Sequence, residues 1–313
     1  MGIYRNALPQ LNEQIFFTDG GLETTLVFHN KMDLPCFAAF DVLNQENGKR
    51  HLRDYFQSYA EMALEANCGF VLEAPTWRAS SDWGIKLGHD DKALSRANRQ
   101  AIALLAEIRD DMATTECPMV ISGCLGPRGD GYRVTEQMSV AQAADYHRYQ
   151  IETFADTAAD MINAMTMTYA EEAIGITLTA AQFGLPVVIA FTTETDGRLP
   201  SGQTLREAIE QVDAASANGP AYYMINCAHP DHFAQALEAG KEWTSRIRGI
   251  RANASRMSHA ELDECEVLDD GDPREWAQLY RQLRDDFPQF TVLGGCCGTD
   301  HRHIDQVRKA CCH

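Results

Sequence analysis

Three cysteines in this sequence stand in contexts where their thiols could share one metal ion. Cys227 follows Asn226 at the end of an apolar run, and Cys296 and Cys297 lie within Gly294-Gly295-Cys296-Cys297-Gly298-Thr299. Adjacent residues of a strand point to opposite faces, so the paired cysteines can share an ion only where the backbone turns. The flanking glycines permit such a turn. Three thiolates form a soft donor set that suits Zn²⁺ and leaves a fourth coordination position open, as in catalytic zinc sites.

The remaining cysteines and the nearby histidines are weaker candidates, since most isolated cysteines are simply buried apolar residues. We interpret five cysteines as buried or incidental thiols: Cys36, Cys68, Cys117, Cys124 and Cys265. The sequence Cys311-Cys312-His313 has the composition of a metal-binding tail, but we expect it to be disordered and to bind no metal. We interpret the histidines close to the three cysteines as polar loop residues; they are His229, His232, His301 and His303.

Eight short apolar runs alternate with helical patterns and predict the elements that position these cysteines. Several runs are apolar on both faces, which is typical of parallel strands covered on both sides. The predicted strands are Ile15–Thr18, Phe70–Thr76, Met119–Gly123, Met161–Met167, Val187–Thr192, Tyr222–Asn226, Ile247–Ala252 and Thr291–Gly294. This alternation favours an α/β fold, a (β/α)₈ TIM barrel, over a doubly wound sheet, with residues 1–313 forming one domain.

Helical periodicity and capping signals separate the predicted strands. Apolar residues recur at helical spacing over Lys92–Ile108 and Val140–Ala158, and Thr204 with Glu207 forms a capping box. Pro273 suits the first turn of a late helix. Stretches without either pattern, 28–41 and 262–272, predict long loops. In such a barrel the ends of the sixth and eighth strands lie on the rim where active sites are built.

Composition limits the class of partner. The net charge of −18 argues against a nucleic-acid partner, whose phosphates require a basic face. The chain shows no signal-peptide pattern and no apolar run of membrane-spanning length, so we expect a cytoplasmic protein with reduced thiols and no membrane partner. Small molecules remain the expected partners, and the negative charge is compatible with a cationic one.

Three motifs resemble the homocysteine S-methyltransferase family, which includes betaine–homocysteine and S-methylmethionine–homocysteine methyltransferases. These motifs are Asp19-Gly20-Gly21-Leu22-Glu23-Thr24, Asn226-Cys227 and Gly294-Gly295-Cys296-Cys297-Gly298-Thr299 with His303-Ile304 after it. The resemblance runs through nearly the whole chain, and the last motif is the most specific.

The resemblance implies a TIM barrel, zinc on the three cysteines, and a role in methionine biosynthesis. It also implies that Asp19, Gly20 and Gly21 hold the amino-acid end of homocysteine, since glycine amides can approach a carboxylate closely. Glu23 and Asn226, which belong to the matching motifs, are further candidates for substrate binding.

One position departs from the family. The fourth strand of the family commonly ends in Glu-Thr, whose glutamate binds the homocysteine amine, whereas this chain has Met165 before Thr166. A thioether cannot pair with an ammonium group. We therefore predict that Glu73, at the end of the second strand, or Glu23 replaces that glutamate, or that the acceptor is not homocysteine.

These features predict a zinc-dependent S-methyltransferase. Coordination would remove the thiol proton of the acceptor, and the sulfur would then attack the methyl group of a cationic donor in line. Such a donor leaves neutral, so no side chain is assigned as a general acid or base. Aromatic faces at the rim, those of Trp77, Trp83 and Phe28, are candidates for stacking on the donor or for plain packing.

The donor and the class of activity stay partly open. Little sequence follows the eighth strand, so we expect no folate or cobalamin module and a donor such as S-methylmethionine, S-adenosylmethionine or a betaine-like compound. Two alternatives are a zinc hydrolase on the same barrel and a catalytically silent zinc- or thiol-binding protein. Few His or Asp residues at strand ends count against the hydrolase, whereas Met165 leaves the silent protein plausible.

Overall fold

Eight parallel strands close into a barrel in chain order. The structure is a computed structural model that describes residues 1–134, 136–265 and 267–312. Each strand pairs with the next, and β8 returns to β1, with Phe16 opposite Val292. The strands are β1 Phe16–Phe17, β2 Gly69–Glu73, β3 Met119–Leu125, β4 Met161–Met167, β5 Val187–Phe191, β6 Tyr222–Asn226, β7 Ile247–Ala252 and β8 Val292–Gly295. The predicted (β/α)₈ TIM barrel is confirmed.

All eight predicted strands are present, and β4, β6 and β7 have the predicted bounds. The largest difference is in β2, which ends at Glu73 rather than at Thr76. The residues beyond it form a tight turn in which the Thr76 amide donates to the Ala74 carbonyl at 2.8 Å. Pro75 has no amide hydrogen and cannot extend a ladder, which accounts for the early end.

The long helices cover the outside of the barrel. They are α1 Gly48–Glu65, α2 Asp91–Met112, α3 Val140–Ala155, α4 Ala170–Gln182, α5 Leu205–Ser216, α6 Pro273–Asp286 and α7 His301–Cys311. The predicted capping box of Thr204 with Glu207 opens α5, and Pro273 occupies the first turn of α6. Short α-helices are Leu22–Thr24, Ser81–Lys86, Pro230–Phe233, Glu242–Ser245 and His259–Asp263, and Thr25–His29 is a π-helix. Short 3₁₀ helices are Pro9–Leu11, Pro35–Phe37, Ala39–Asn44 and Ala234–Ala236.

The barrel interior is filled differently at its two ends. Apolar side chains such as Val71, Val120 and Val188 fill the lower part. The N-terminal segment closes the bottom, where the Gln10 amide contacts Met161 Sδ at 3.1 Å. Polar and charged side chains gather toward the C-terminal ends of the strands. This is the end of a (β/α)₈ barrel at which active sites form.

The prediction of a disordered C-terminal tail is wrong. Helix α7 continues to Cys311, which is buried together with Ile304 and Val307. Cys312 follows, and its Sγ lies 3.4 Å from the Sγ of Cys68, next to β2. Packing of the apolar face of α7 orders this part of the chain. His313 lies outside the described residues.

The two predicted long loops are only partly irregular. The 28–41 stretch contains the end of the π-helix and two of the 3₁₀ segments, and the short helix His259–Asp263 enters the 262–272 stretch. Residue 266, inside that second stretch, lies outside the described part of the chain. None of the described helices combines the length and the hydropathy needed to cross a bilayer.

Candidate active site

The three predicted metal ligands meet at the C-terminal mouth of the barrel. Cys227 directly follows β6, and Cys296 and Cys297 follow β8. Their three Sγ atoms all lie within 4.8 Å of one another. Among the described residues, no other group of three His, Cys, Asp or Glu side chains is gathered as closely. In this structure Cys227 and Cys296 are joined by a disulfide.

Glycines allow the turn that brings Cys296 and Cys297 together, as predicted. The strand ends at Gly295, and Gly298 adopts φ +79°, the left-handed region that favours glycine. A Cβ on Gly294 would collide with the side chain of Thr18, and one on Gly295 with that of Thr299. The thiol loop is therefore held tightly against its neighbours.

The conformation of Cys227 is held by contacts between the ends of β6 and β4, where the backbone is strained. Cys227 and Thr166 both have positive φ, at 54° and 63°. Such conformations of non-glycine residues cost about 1–3 kcal/mol each and persist where surrounding contacts enforce them. Here Asn226 supplies those contacts: its Oδ1 accepts from the Thr166 amide at 2.9 Å, and its Nδ2 donates to Thr166 Oγ1 at 2.8 Å. The same Nδ2 lies 3.2 Å from Cys227 Sγ, so these contacts position the thiol.

The donor set fits a zinc ion once the cysteines are reduced. Tetrahedral Zn–S bonds of about 2.3 Å separate sulfurs by roughly 3.8 Å, which lies inside the observed spread of the three Sγ atoms. A metal requires free thiolates, so metal loading and the Cys227–Cys296 disulfide exclude each other. The Tyr132 hydroxyl lies 3.5 Å from Cys297 Sγ. Burial raises the pKa of Tyr132 well above its usual value, so this hydroxyl remains a donor at neutral pH.

The N-terminal loop lies on the same rim as the thiols, as predicted. The Gly21 amide donates to the Thr299 carbonyl at 3.0 Å, and a Cβ on Gly21 would lie 2.6 Å from the Cys296 carbonyl oxygen. A Cβ on Gly20 would lie 2.8 Å from the Tyr59 hydroxyl. Both glycines therefore permit a close approach of backbone that any side chain would prevent.

Asp19 is already paired inside the protein. Its carboxylate forms an ion pair with Arg251 at 2.9 Å and accepts a hydrogen bond from the Tyr55 hydroxyl at 2.9 Å. Burial raises the pKa of Asp19, and the charge of Arg251 opposes that rise. The loop is thus anchored to β7 by a buried charge pair. Its binding of a substrate through Asp19 itself stays a prediction.

Glu73 faces the barrel interior beside Met165, the position where the family commonly has a glutamate. Its Oε2 accepts from Asn163 Nδ2 at 2.9 Å, and that same Nδ2 lies 3.1 Å from Met165 Sδ. One Asn163 amide therefore joins the two side chains. Glu73 Oε1 is buried and has no hydrogen-bond partner among the described residues, with Arg251 Nη1 4.0 Å from the carboxylate. Burial raises the pKa of Glu73.

Glu23 lies in the short helix Leu22–Thr24 that follows the first loop, half-buried near the same charges. Burial raises its pKa to about 7, with the Asp19 carboxylate adding to the effect and Arg251 and Arg78 opposing it. Its carboxyl group therefore changes charge close to neutral pH. This behaviour suits either of the roles predicted for Glu23, and the structure leaves its role as a prediction.

Two buried arginines belong to this end of the barrel, and the motifs did not reveal them. Arg251 is 5% exposed and Arg78 is 6% exposed. Strand β7 contains two arginines, Arg248 and Arg251, and a charged residue near the C-terminal end of a buried strand is a signal that could have identified Arg251. The guanidinium of Arg78 lies over the rings of Trp77 and Trp83, 3.8 and 3.7 Å from their centroids. It covers one face of each of these two rings, which were candidates for stacking on a cationic donor.

Comparison with known proteins places these features in a wider context. The model of a family described as homocysteine S-methyltransferase matches residues 16–311. Homocysteine S-methyltransferase 1 from Brassica oleracea var. italica is 20% identical over 310 residues, which cover 93% of this chain and 91% of that protein. The protein of the same name from Arabidopsis thaliana is 20% identical over 320 residues.

Solved structures show the same fold. The homocysteine methyltransferase MmuM from Escherichia coli superimposes with a TM-score of 0.71 in its oxidised form and 0.70 in its metallated form. Both are 17% identical, and the match covers 97% of this chain and 98% of the other. At this identity the likeness supports the barrel architecture rather than any particular residue.

Proposed function

This chain belongs to the homocysteine S-methyltransferase family and is a methyltransferase, and from that premise we propose that it uses zinc to methylate a small thiol. The acceptor is homocysteine or a related thiol, and the donor is a small cation such as S-methylmethionine, S-adenosylmethionine or a betaine-like compound. The observation that supports this proposal most is the meeting of the Cys227, Cys296 and Cys297 sulfurs within 4.8 Å at the barrel mouth. A zinc ion on these thiolates would acidify the acceptor thiol and hold its sulfur in place.

The protein's own residues then supply position. Asn226 and Thr166 fix the Cys227 side chain, and the close packing of the Gly20–Gly21 backbone against Tyr59 and the Cys296 carbonyl holds the first loop beside the thiols, where it would bind the acceptor's amino-acid end. In the transfer, the acceptor sulfur forms the new S–CH₃ bond as the donor's bond to that methyl breaks. The bonding electrons stay on the donor heteroatom, which becomes neutral, and the thiol proton goes to solvent. Alignment of the two reactants provides much of the acceleration.

Glu73 is the proposed anchor for the acceptor's amine. Its support is the unpartnered Oε1 and the Asn163 amide that places its carboxylate next to Met165. A buried ammonium group without a partner would cost several kcal/mol, so the pocket needs a carboxylate at this point. Glu73 thus supplies from β2 the charge that relatives take from β4. An acceptor without an amine is the competing possibility.

The test is a methyl-transfer assay on the reduced, zinc-loaded protein. Labelled S-methylmethionine is offered with homocysteine and, separately, with 3-mercaptopropionate, and methylated products are identified by mass spectrometry. We expect product with homocysteine, loss of activity on chelation and recovery with Zn²⁺. A fully metallated protein that methylates no thiol with any cationic donor would refute the proposal. Equal activity with and without bound metal would refute its zinc-dependent part.

A further inference from the structure

Arg78 differs from the other buried arginines because it forms no close ion pair, although the charges of Asp130 and Glu23 act on it from a greater distance. Its Nη1 donates to the Gly129 carbonyl at 3.1 Å. Its Nε is buried and has no partner among the described residues, and Nη2 makes no hydrogen bond to them either. These two nitrogens form one edge of the guanidinium group, the edge that can bind a carboxylate through two parallel hydrogen bonds.

The other deeply buried arginines show what is missing. Arg109 pairs with Asp160 at 2.9 Å and Arg251 pairs with Asp19 at 2.9 Å. Within 4.0 Å of the Arg78 nitrogens, the described residues offer no carboxylate oxygen. Burial lowers the pKa of Arg78 to about 10 and the more distant Asp130 and Glu23 only partly oppose this, so Arg78 is charged at neutral pH and its buried charge lacks a direct partner.

The residues that hold Arg78 extend toward the three cysteines at the barrel mouth. Gly129, which binds Arg78, begins a segment that leads through Gly131 to Tyr132. A Cβ on Gly131 would lie 3.1 Å both from the Trp77 ring and from Thr166 Cγ2. Tyr132 reaches Cys297 Sγ at 3.5 Å, and Thr166 Oγ1 lies 3.8 Å from Cys227 Sγ. The segment bound by Arg78 therefore contacts residues that touch two of the three thiols.

We propose that Arg78 binds a carboxylate carried by the methyl donor. This inference rests on the proposed methyl transfer and assigns a residue of this chain to the carboxylate that the proposed sulfonium and quaternary ammonium donors carry. Arg78 covers one face each of Trp77 and Trp83, and Lys86 also lies over the Trp83 ring, so cations of the protein already use these aromatic faces and we assign Arg78 to the donor's anionic end. The indoles hold the guanidinium plane in place, so little side-chain entropy is lost on binding.

Two sulfonium donors test this proposal: S-methylmethionine and its decarboxylated analogue, which has the same dimethylsulfonium head. We expect Arg78→Met to raise the KM for S-methylmethionine by about 10- to 100-fold, the range for hydrogen bonds to a charged group, and to leave the KM for the analogue within about 2-fold. Arg78→Lys keeps the charge without the two-nitrogen edge, so its KM for S-methylmethionine should lie between those of the wild type and Arg78→Met. Lys86→Met is the matched control, since it removes an exposed cation from the same Trp83 ring.

A binding measurement separates this role from a merely structural one. The dissociation constant of S-methylmethionine for the metal-free, reduced protein, measured by calorimetry, should rise by a similar factor in Arg78→Met and not in Lys86→Met. An equal rise in KM for both donors, or a rise in the acceptor's KM alone, would overturn the assignment of Arg78 to the donor. If the wild type methylates no thiol with any cationic donor, the proposed function fails instead. Unchanged calorimetric binding in Arg78→Met would overturn the inference in either case.

Discussion

Two buried carboxylates at opposite ends of the barrel have very different surroundings. Asp160, just before β4, accepts hydrogen bonds from the Tyr4 amide at 2.8 Å, the Ile121 amide at 2.8 Å and Arg109 at 2.9 Å. Glu73, at the end of β2, accepts one from Asn163, and its Oε1 has no described partner. The lower carboxylate is fully used by the fold, and the upper one keeps capacity for a ligand. This agrees with the division of (β/α)₈ barrels into a stability face and a catalytic face.

The cysteines repeat this contrast. At the lower end, Cys68 and Cys312 form a close pair of sulfurs, 3.4 Å apart, that lies where α7 packs beside the start of β2. At the upper end, three cysteine sulfurs gather around one point, with strained backbone holding one of them. Two neighbouring thiols form only a packing contact, whereas three thiolates can bind a metal ion and leave its fourth coordination position open. The number and the setting of the thiols therefore distinguish a packing role from a chemical one.

The largest expected effect is at the upper thiols. Cys227→Ser or Cys296→Ser should lose most of the zinc, because serine is a poor zinc ligand. Loss of the metal should reduce methyl transfer by roughly three orders of magnitude, equivalent to about 4 kcal/mol of transition-state stabilisation. Metal content and kcat/KM measured under reducing conditions test this.

Cys312→Ser is the matched control and should keep both metal and activity. X-ray absorption that shows a nitrogen-dominated metal shell in the wild type would contradict the three-cysteine site and would favour the nearby histidines.

The next effect is on the stability of the lower end. Asp160→Asn leaves the Arg109 guanidinium buried without its partner and should lower the free energy of unfolding by about 3–5 kcal/mol. Glu73→Gln removes a carboxylate that burial disfavours and should change stability by less than about 1 kcal/mol. Urea unfolding of both variants measures the difference. Equal destabilisation by the two would remove the proposed contrast between the ends.

A smaller effect is expected on acceptor selection. Glu73→Gln should raise the KM for homocysteine by about 10-fold, the worth of one charged hydrogen bond, and barely change the KM for 3-mercaptopropionate. If the natural acceptor has no amine, the wild type should instead prefer the simple thiol, and Met165→Glu should shift its preference toward homocysteine. A preference for homocysteine that survives both Glu73→Gln and Glu23→Gln would show that the amine binds elsewhere.

The smallest effect is a pH dependence of stability from Glu23. Its pKa is raised by burial to about 7 in the folded chain, above the ordinary value of 4.5. Between these values the unfolded chain loses the proton while the folded chain keeps it, so the Glu23 contribution lowers stability as pH rises from 4.5 to about 7. Glu23→Gln should flatten the unfolding free energy over this window. A slope that is unchanged in the variant would assign the titration to another group.

Sequence patterns predicted the barrel and the thiol site because both have local signatures. Strands buried on two faces appear as continuous apolar runs, and glycines mark the turn that the paired cysteines require. The end of β2 was placed too late, at Thr76, because a β-rich composition does not record the turn at Ala74–Thr76, where Pro75 cannot extend the ladder. The tail was misjudged because its order comes from packing on α6 and on Cys68, which no local pattern records.

The charge pairs could not be predicted for the same reason. Arg251 binds Asp19 from the opposite end of the chain, and Arg78 is held by a carbonyl in another loop. Neither partner can be inferred from spacing along the sequence. Met165 could be singled out only because the family commonly has a glutamate at that position. The Asn163 amide that links Met165 to Glu73 became visible only in the three-dimensional structure.

The three cysteines proposed as metal ligands follow the sixth and eighth strands, and Cys227 and Cys296 are 69 positions apart in the sequence. Strand β7 lies between these two strands and pairs with both of them. The donor set therefore exists only once β6, β7 and β8 have assembled side by side, and an ion bound there would link β6 to β8 across β7. By mass action, each tenfold rise in the free metal concentration above the dissociation constant adds about 1.4 kcal/mol to the free energy of unfolding. The supply of metal in a cell would then affect the lifetime of the protein against proteolysis, in addition to its catalytic rate.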